Sequence, residues 1–380
     1  MTRHALAGLL LAAALAGCGD ARQAAREPAG VRNAAHPREV DRELVSDPFV
    51  VDRIYRSMLG PTFARQEPLE SAAEPDLLWI TGYAMNVVGA DGRSPHSIEF
   101  ECHSNLGWPR EVPEGFRRPV LRAFTLTQGQ TDVRLPPGFG LPVLSNERVG
   151  AFSQVLNLSQ PAGSRTVRHR LHIRYLRDGE LPEPPKPLVV THAFVMASLE
   201  GEPAVFNVAD PSAELAGATC QAGSLPPGVN SFYVDKNERR FAGHWVVPPG
   251  RHEYRTLVTD QLQIPFDTTV HFVGVHVHPY SESLELRDLT TGETVWKGVQ
   301  QSSRSRTGLD WIDYFSSEQG FPIYKDHQYE LISVYDNPGR ERADAMASMF
   351  LYYLDHEFDR GAVTARLRGS AKPELAAQGG

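Results

Sequence analysis

The sequence predicts an all-β protein, and three observations carry the prediction. Short apolar runs of strand character recur along the chain. Pro/Gly clusters separate them: Pro136-Pro137-Gly138, Pro182 to Pro187, Pro226-Pro227-Gly228 and Pro248-Pro249-Gly250. Helical periodicity is nearly absent, the one candidate of any length being Asp47 to Leu59. Many short strands with such punctuation favour sandwiches or jelly rolls.

The clearest runs are Leu77 to Tyr83, Arg168 to Tyr175, Leu188 to Ala197 and Thr269 to His278. A stretch of low strand character from 201 to 230 holds Cys220 and makes the best boundary. It divides a first β domain at 46–200 from a second at 231–360. Residues 18–45 and 361–380 are rich in Ala, Arg, Glu and Pro or otherwise aperiodic, and are expected to be a disordered tether and tail.

The chain has 380 residues, 41% of them hydrophobic and 22% charged, which suits globular domains with real cores. A net charge of −8, with no basic patch interleaved with aromatics, argues against nucleic acid as a partner.

The first residues point to a compartment. Met1-Thr2-Arg3-His4 is a positive n-region, and Ala5 to Ala16 is an apolar stretch of 12 residues, too short to span a bilayer. It runs into Leu15-Ala16-Gly17-Cys18, which looks like a bacterial lipobox. Residues 1–17 would then be a lipoprotein signal peptide, and the Cys18 thiol would carry lipid that anchors the protein to a membrane. Gly19 follows, so the inner-membrane retention signal, Asp at that place, is absent, although Asp20 comes one step later. The expected place is the cell envelope, on an outer membrane facing the periplasm or on the surface. Cys102 and Cys220 remain; an oxidising compartment permits a disulfide, but their spacing does not require one.

Function enters through His276-Val277-His278, followed 68 residues later by Met346. In a strand, residues i and i+2 share a face, roughly 6–7 Å apart at ~3.3 Å per residue. Two imidazoles so placed can grip one metal ion. Met346 lies in a second β-like segment, Asp344 to Tyr353, that could pair nearby. Two imidazoles and a thioether suit copper better than zinc, magnesium or calcium.

Taken in order, Trp245 to Gly250, His276-Val277-His278, Tyr329 to Asp336, and Asp344-Ala345-Met346 with Tyr352-Tyr353 resemble the copper type II, ascorbate-dependent monooxygenases. Peptidylglycine hydroxylating and dopamine β-monooxygenases belong to that family. The resemblance implies two consecutive jelly-roll domains, each with a copper, facing across a solvent cleft. It implies that His276, His278 and Met346 hold the catalytic copper. It also implies dioxygen as oxidant, an external electron donor and a C–H bond of a small molecule as substrate.

The first domain matches the family less fully. His96-Ser97-Ile98-Glu99-Phe100-Glu101-Cys102 resembles the signature of the electron-transfer copper. His96, Phe100 and Cys102 fit, but Pro95 replaces a histidine and Ser97 a methionine. Asn157 stands where that copper's third histidine is expected. His103, His169, His172 and His192 are the other imidazoles that could substitute, although His169 and His172, three apart on a strand, would face opposite sides. The second domain departs too: Gly274 replaces a carboxylate-binding arginine, and Ser348 and Phe350 replace polar and phenolic residues. A glycine-extended peptide is therefore not the expected substrate.

Blander readings stand beside these. Alone, His96 is a loop or edge residue, Met346 a core residue, and Tyr352 and Tyr353 strand packing. His276, His278 and Glu282 fit half of a cupin motif, but Leu289 stands where its glycine should be. Related glycan amidases share two jelly rolls without copper, so fold alone does not give redox chemistry. No G-x-S-x-G occurs to support a serine hydrolase. Two readings are carried forward: a copper-dependent monooxygenase-like lipoprotein, and a non-catalytic copper-binding or scaffold lipoprotein that kept one metal site.

Overall fold

Side chains alternate in burial along the long strands, and that alternation sets the architecture. In the computed structural model the described residues are 38–70, 74–159, 163–199, 206–207, 214–216, 232–234 and 238–370. They are overwhelmingly β. Sixteen strands of five residues or more are numbered in order: β1 Val40–Val45, β2 Thr62–Pro68, β3 Leu77–Gly89, β4 His103–Gly107, β5 Arg122–Leu126, β6 Phe139–Leu144, β7 Arg148–Gln154, β8 Arg165–Arg177, β9 Lys186–Phe194, β10 Gly250–Leu257, β11 Thr268–Val277, β12 Ser281–Asp288, β13 Thr294–Ser302, β14 Phe315–Ile323, β15 Tyr329–Asn337 and β16 Ala347–Leu354.

In the first half, β1-β8-β3-β6 faces β2-β7-β4-β5. Tyr83, Val143 and Leu171 from one sheet meet Leu106, Phe124 and Val149 from the other. The Tyr83 hydroxyl bridges the sheets at 2.8 Å from Ser104 Oγ. In the second half, β9-β16-β11-β14 faces β10-β15-β12-β13, with Val275, Met349 and Leu351 packed on Leu284, Leu331 and Tyr335. A short parallel pairing, Lys186 with Phe139 and Pro187 with Gly140, joins β6 to β9 and makes one continuous sheet of the two halves.

The layer β9-β16-β11 is buried on both faces. Val190, Phe272, Phe350 and Tyr352 point into the first core, while Val189, Val273, Leu351 and Tyr353 point into the second. A period of two sends neighbours to opposite faces, so an unbroken apolar run such as Met349 to Tyr353 serves both. Each fully buried side chain of this size contributes about 1.5–3 kcal/mol relative to exposure. Any group on the first-core face of β11 therefore lies between the halves.

Several expectations need amending. Asp47 to Leu59 is not helical: Phe49–Val51 pairs with β8, burying Phe49 and Val51, and turns follow. β-branched Val50 and Val51 favour that outcome. The expected tether is ordered from Val40, where β1 pairs with β8 and buries Leu44. The expected tail is a helix over Arg360–Ser370. Asp178 holds that helix by accepting from Arg360 Nε and Nη2 at 2.7 and 2.8 Å, and Val363 packs with Leu77, Trp79 and Leu176. Within the expected 201–230 linker, Phe206–Asn207 pairs with β10 and Glu214–Ala216 with Phe232–Val234. The expected first domain includes β9, yet β9 pairs along seven residues with β16. Residues 1–17, Cys18 and Cys220 lie outside the described residues. No helix among the described residues is long and apolar enough to cross a membrane.

Candidate metal centre

The β11–β16 ladder sets His276 opposite Ser348 and Val277 opposite Ala347. It closes one step further, where the His278 N–H donates to the Met346 carbonyl at 3.3 Å. Tyr335 on the facing sheet pins this end. Its hydroxyl donates to the same carbonyl at 2.5 Å and accepts from the His278 N–H at 3.2 Å. Burial raises the Tyr335 phenol pKa, so the hydroxyl stays a donor at neutral pH. The chain then turns away through Tyr280 at φ 74°, a left-handed conformation uncommon for a bulky residue. The Asp336 N–H holds the turn by donating to the Tyr280 carbonyl at 2.9 Å.

His276 and His278 share a face, with ring centroids 5.5 Å apart and planes at 83°. They belong to a longer row. His103 from β4 approaches His276 at 6.0 Å and 80°, and His244 approaches His278 at 5.5 Å and 77°. Four imidazoles thus run in succession from the interface between the halves to the surface. His103, His276 and His278 are buried, while the His244 side chain is 36% exposed. Burial, reinforced by neighbouring imidazoles, drives the His276 pKa well below the ordinary value. Burial pushes His103 down to about 3, and the Arg122 guanidinium adds to it. Neutral imidazoles are the form that binds metal. The His276 Nδ1 is buried and has no hydrogen-bond partner among the described residues.

Asp344 stands at the outer end. Trp245–Val247 pairs with Ala343–Ala345, which sets Asp344 opposite Val246 and brings His244 alongside. One carboxylate oxygen lies 2.5 Å from His244 Nε2, the other 3.0 Å from His278 Nδ1. Burial opposes ionisation of Asp344, but the two imidazoles beside it outweigh that and hold the carboxyl well below the usual range. Donor atoms of His244, His278 and Asp344 all lie within 4.8 Å of one another.

The site therefore includes three residues that the sequence reading did not assign to it: His244, Asp344 and His103. Nothing local marks the first two as neighbours. Asp344 does lie two residues before Met346, and that carboxylate was the one available signal.

His96 stands apart from this row. Its Nδ1 accepts from the Ser97 N–H at 2.8 Å, and its ring leans on Phe100 at 5.2 Å. Asn157 is occupied in holding the segment around Arg53, donating to the Arg53 carbonyl at 2.8 Å and pairing by main chain with Tyr55. His169 is a satisfied core histidine, 2.9 Å from Ser153 Oγ and 3.1 Å from the Phe100 carbonyl. His172, on the opposite face of β8, pairs with Asp41 at 3.0 Å. His192 lies flat on Phe350, centroids 4.5 Å apart, with its Nε2 unpartnered. Cys102 is buried and forms no disulfide among the described residues, and burial pushes its thiol pKa up to about 11. Glu282 pairs with Arg251 at 2.8 Å on the surface.

No protein-family model matches the chain, and no curated protein matches it. Solved structures resemble it only faintly. A Corynebacterium diphtheriae protein described as membrane anchored aligns over 83% of this chain and 93% of its own, at 7% identity and TM-score 0.19. The Gx strain of infectious bursal disease virus aligns over 84% and 73%, at 10% identity and TM-score 0.17. The CUB1-EGF-CUB2 domains of rat MASP-1 align over 77% and 96%, at 11% identity and TM-score 0.11. Likeness at this level carries no argument about this chain.

Proposed function

We propose that this chain is a lipid-anchored envelope protein that binds one copper ion through His276, His278 and Met346. One observation carries the reading: the β11–β16 ladder ends with His278 bonded to Met346, beside a buried His276 whose Nδ1 has no partner. An unpartnered buried nitrogen is costly unless something satisfies it. The donors fit copper, since two neutral imidazoles serve both oxidation states and a thioether favours Cu(I).

Bound there, copper would supply one-electron chemistry with dioxygen. The monooxygenase-like reading assigns it hydroxylation of a C–H bond in a small molecule, with electrons from an external donor. Residues 1–17 would direct the chain to the envelope, and Cys18 would anchor it. The two halves would be consecutive jelly rolls, divided between β8 and β9. The first would lack its copper, because His96 is alone and Asn157 is engaged elsewhere.

A second reading rests on a separate observation. His103 stands edge-on to His276 at 6.0 Å, where the resemblance implies an open cleft. That closeness favours a copper-holding or scaffold lipoprotein without catalysis.

The test is copper stoichiometry on the full chain in detergent, followed by oxygen uptake with ascorbate. One copper, lost in His278→Ala and kept in His96→Ala, supports the site. Hydroxylated product from ascorbate and dioxygen selects the monooxygenase reading, and its absence across candidate small molecules selects the second. A chain that binds no copper removes both.

A further inference from the structure

The outer end of the imidazole row is a donor set of a different kind. His244 and Asp344 belong to no ligand pattern in the resemblance. Three separate elements bring them to His278. The pairing of Trp245–Val247 with Ala343–Ala345 sets His244 against Asp344, and the end of the β11–β16 ladder supplies His278. The main chain at His278 and Asp344 is held, by the Tyr335 bonds to His278 and Met346 and by the pairing of Asp344 with Val246.

Two further features point to a cation. The His244 Nε2 lies 2.5 Å from a carboxylate oxygen, yet the pair lacks the alignment of a hydrogen bond. Left without that bond, the buried nitrogen and the carboxylate can both turn to a positive ion placed among the three side chains. The trio also opens to solvent. His244 and Asp344 side chains are 36% and 41% exposed, so an ion can enter and water can complete its shell. A plain ion-pair bridge would explain the short contacts of Asp344, but not the misalignment at His244.

We propose that His244, His278 and Asp344 bind one divalent ion of borderline character, in the class of Zn(II), Co(II) or Fe(II). Two imidazoles and a carboxylate suit these ions, whereas Cu(I) prefers soft donors. The inference is independent of the copper reading and shares only His278 with it. A neutral imidazole offers one lone pair, so His278 serves one ion at a time, and for this site it does so through Nδ1, which faces Asp344.

The experiment titrates Zn(II), and Co(II) as a spectroscopic probe, into the full chain in detergent. One ion should bind. Asp344→Asn, nearly isosteric, and His244→Ala should each weaken Zn(II) by more than ~100-fold, beyond the ~10–100-fold that merely orienting a ligand carries. Co(II) absorption should change in both variants. Met346→Leu and His276→Ala should leave Zn(II) affinity unchanged. Circular dichroism on every variant separates lost binding from lost folding. The proposal is overturned if wild type binds no Zn(II), if Asp344→Asn stays within ~100-fold, or if Met346→Leu weakens Zn(II) as much as Asp344→Asn. A parallel Cu(I) titration keeps the two sites distinguishable: loss of Cu(I) binding alone would leave this one standing.

Discussion

His276 on β11 and His103 on β4 meet edge-on, ring centroids 6.0 Å apart, across the layer that joins the two halves. His103 also stacks on Phe152 at 5.5 Å, so its ring serves as a packing element of the first half. Only His276 lies on the strand that pairs with the Met346 segment. His103→Phe, which keeps a ring against Phe152, is therefore expected to preserve folding and most Cu(I) affinity. His276→Phe should abolish Cu(I) binding while leaving a similar secondary structure. Competition titration with a Cu(I) chelator checks both. Equal loss in the two variants would make His103 a ligand.

Tyr352 and Tyr353 are sequence neighbours with opposite prospects. The Tyr352 hydroxyl is buried and donates to the Ala123 carbonyl at 2.7 Å, tying β16 to β5. The Tyr353 hydroxyl has no partner among the described residues. Tyr352→Phe should cost about 0.5–1.5 kcal/mol, the net worth of one hydrogen bond. Tyr353→Phe should be neutral or stabilising, because it removes an unsatisfied polar group. Urea unfolding of both variants decides, and a reversed order would mean that these hydroxyl environments are misassigned.

The strands were the legible part of this chain. Thr268–Val277, Leu77–Gly89 and Lys186–Phe194 announce themselves by β-branched content and by flanking Pro and Gly. His276 and His278 were legible as a pair for the same reason, since a period of two fixes their shared face. His244 and Asp344 were not, because their meeting depends on a pairing between two three-residue strands far apart in sequence. The double duty of β16 was equally hidden. A run buried on both faces looks like a core strand, and nothing in it says which core takes which face.

The Arg360–Ser370 helix escaped detection because its own sequence is weakly amphipathic, and the anchor lies elsewhere. Asp178 accepts from Trp79 Nε1 at 2.9 Å as well as from Arg360, so one carboxylate holds both the helix and the start of β3. Asp178→Ala leaves a buried indole N–H without its acceptor. It should release the helix and cost several kcal/mol, as breaking a buried charged network does. Limited proteolysis should then cut near Arg360 well before the rest of the chain. If the helix stays protected in Asp178→Ala, packing of Val363 and the Arg366 bond to Glu114 are enough to hold it.

The anchor proposal rests on Leu15-Ala16-Gly17-Cys18. Cys18→Ser is expected to leave an unprocessed precursor or to release the protein from the lipid fraction, because the acylated thiol is gone. Fractionation with detergent phase separation reads this directly. Normal processing together with membrane partitioning in the variant would rule Cys18 out.

Two buried groups give opposite pH dependences. Burial lowers the His169 pKa from 6.5 to about 4, so the folded protein keeps this ring neutral where the unfolded chain protonates it. Its contribution is present above pH ~6.5 and is lost as pH falls towards about 4. Between pH 7 and 5 the loss is roughly 2 kcal/mol, at 1.36 kcal/mol per pKa unit. Glu101 runs the other way. Its carboxyl is fully buried with both oxygens unpartnered among the described residues, and burial raises its pKa well above the ordinary value. The folded state holds a proton that the unfolded chain releases, so stability declines as pH rises from about 4.5 through the folded value. Urea midpoints at pH 5, 7 and 8 should show His169→Gln losing less stability than wild type on acidification. Glu101→Gln, which stays neutral, should gain on wild type towards pH 8, with the difference closing near pH 4. Parallel pH profiles for Glu101→Gln and wild type would mean that Glu101 ionises normally in the folded protein.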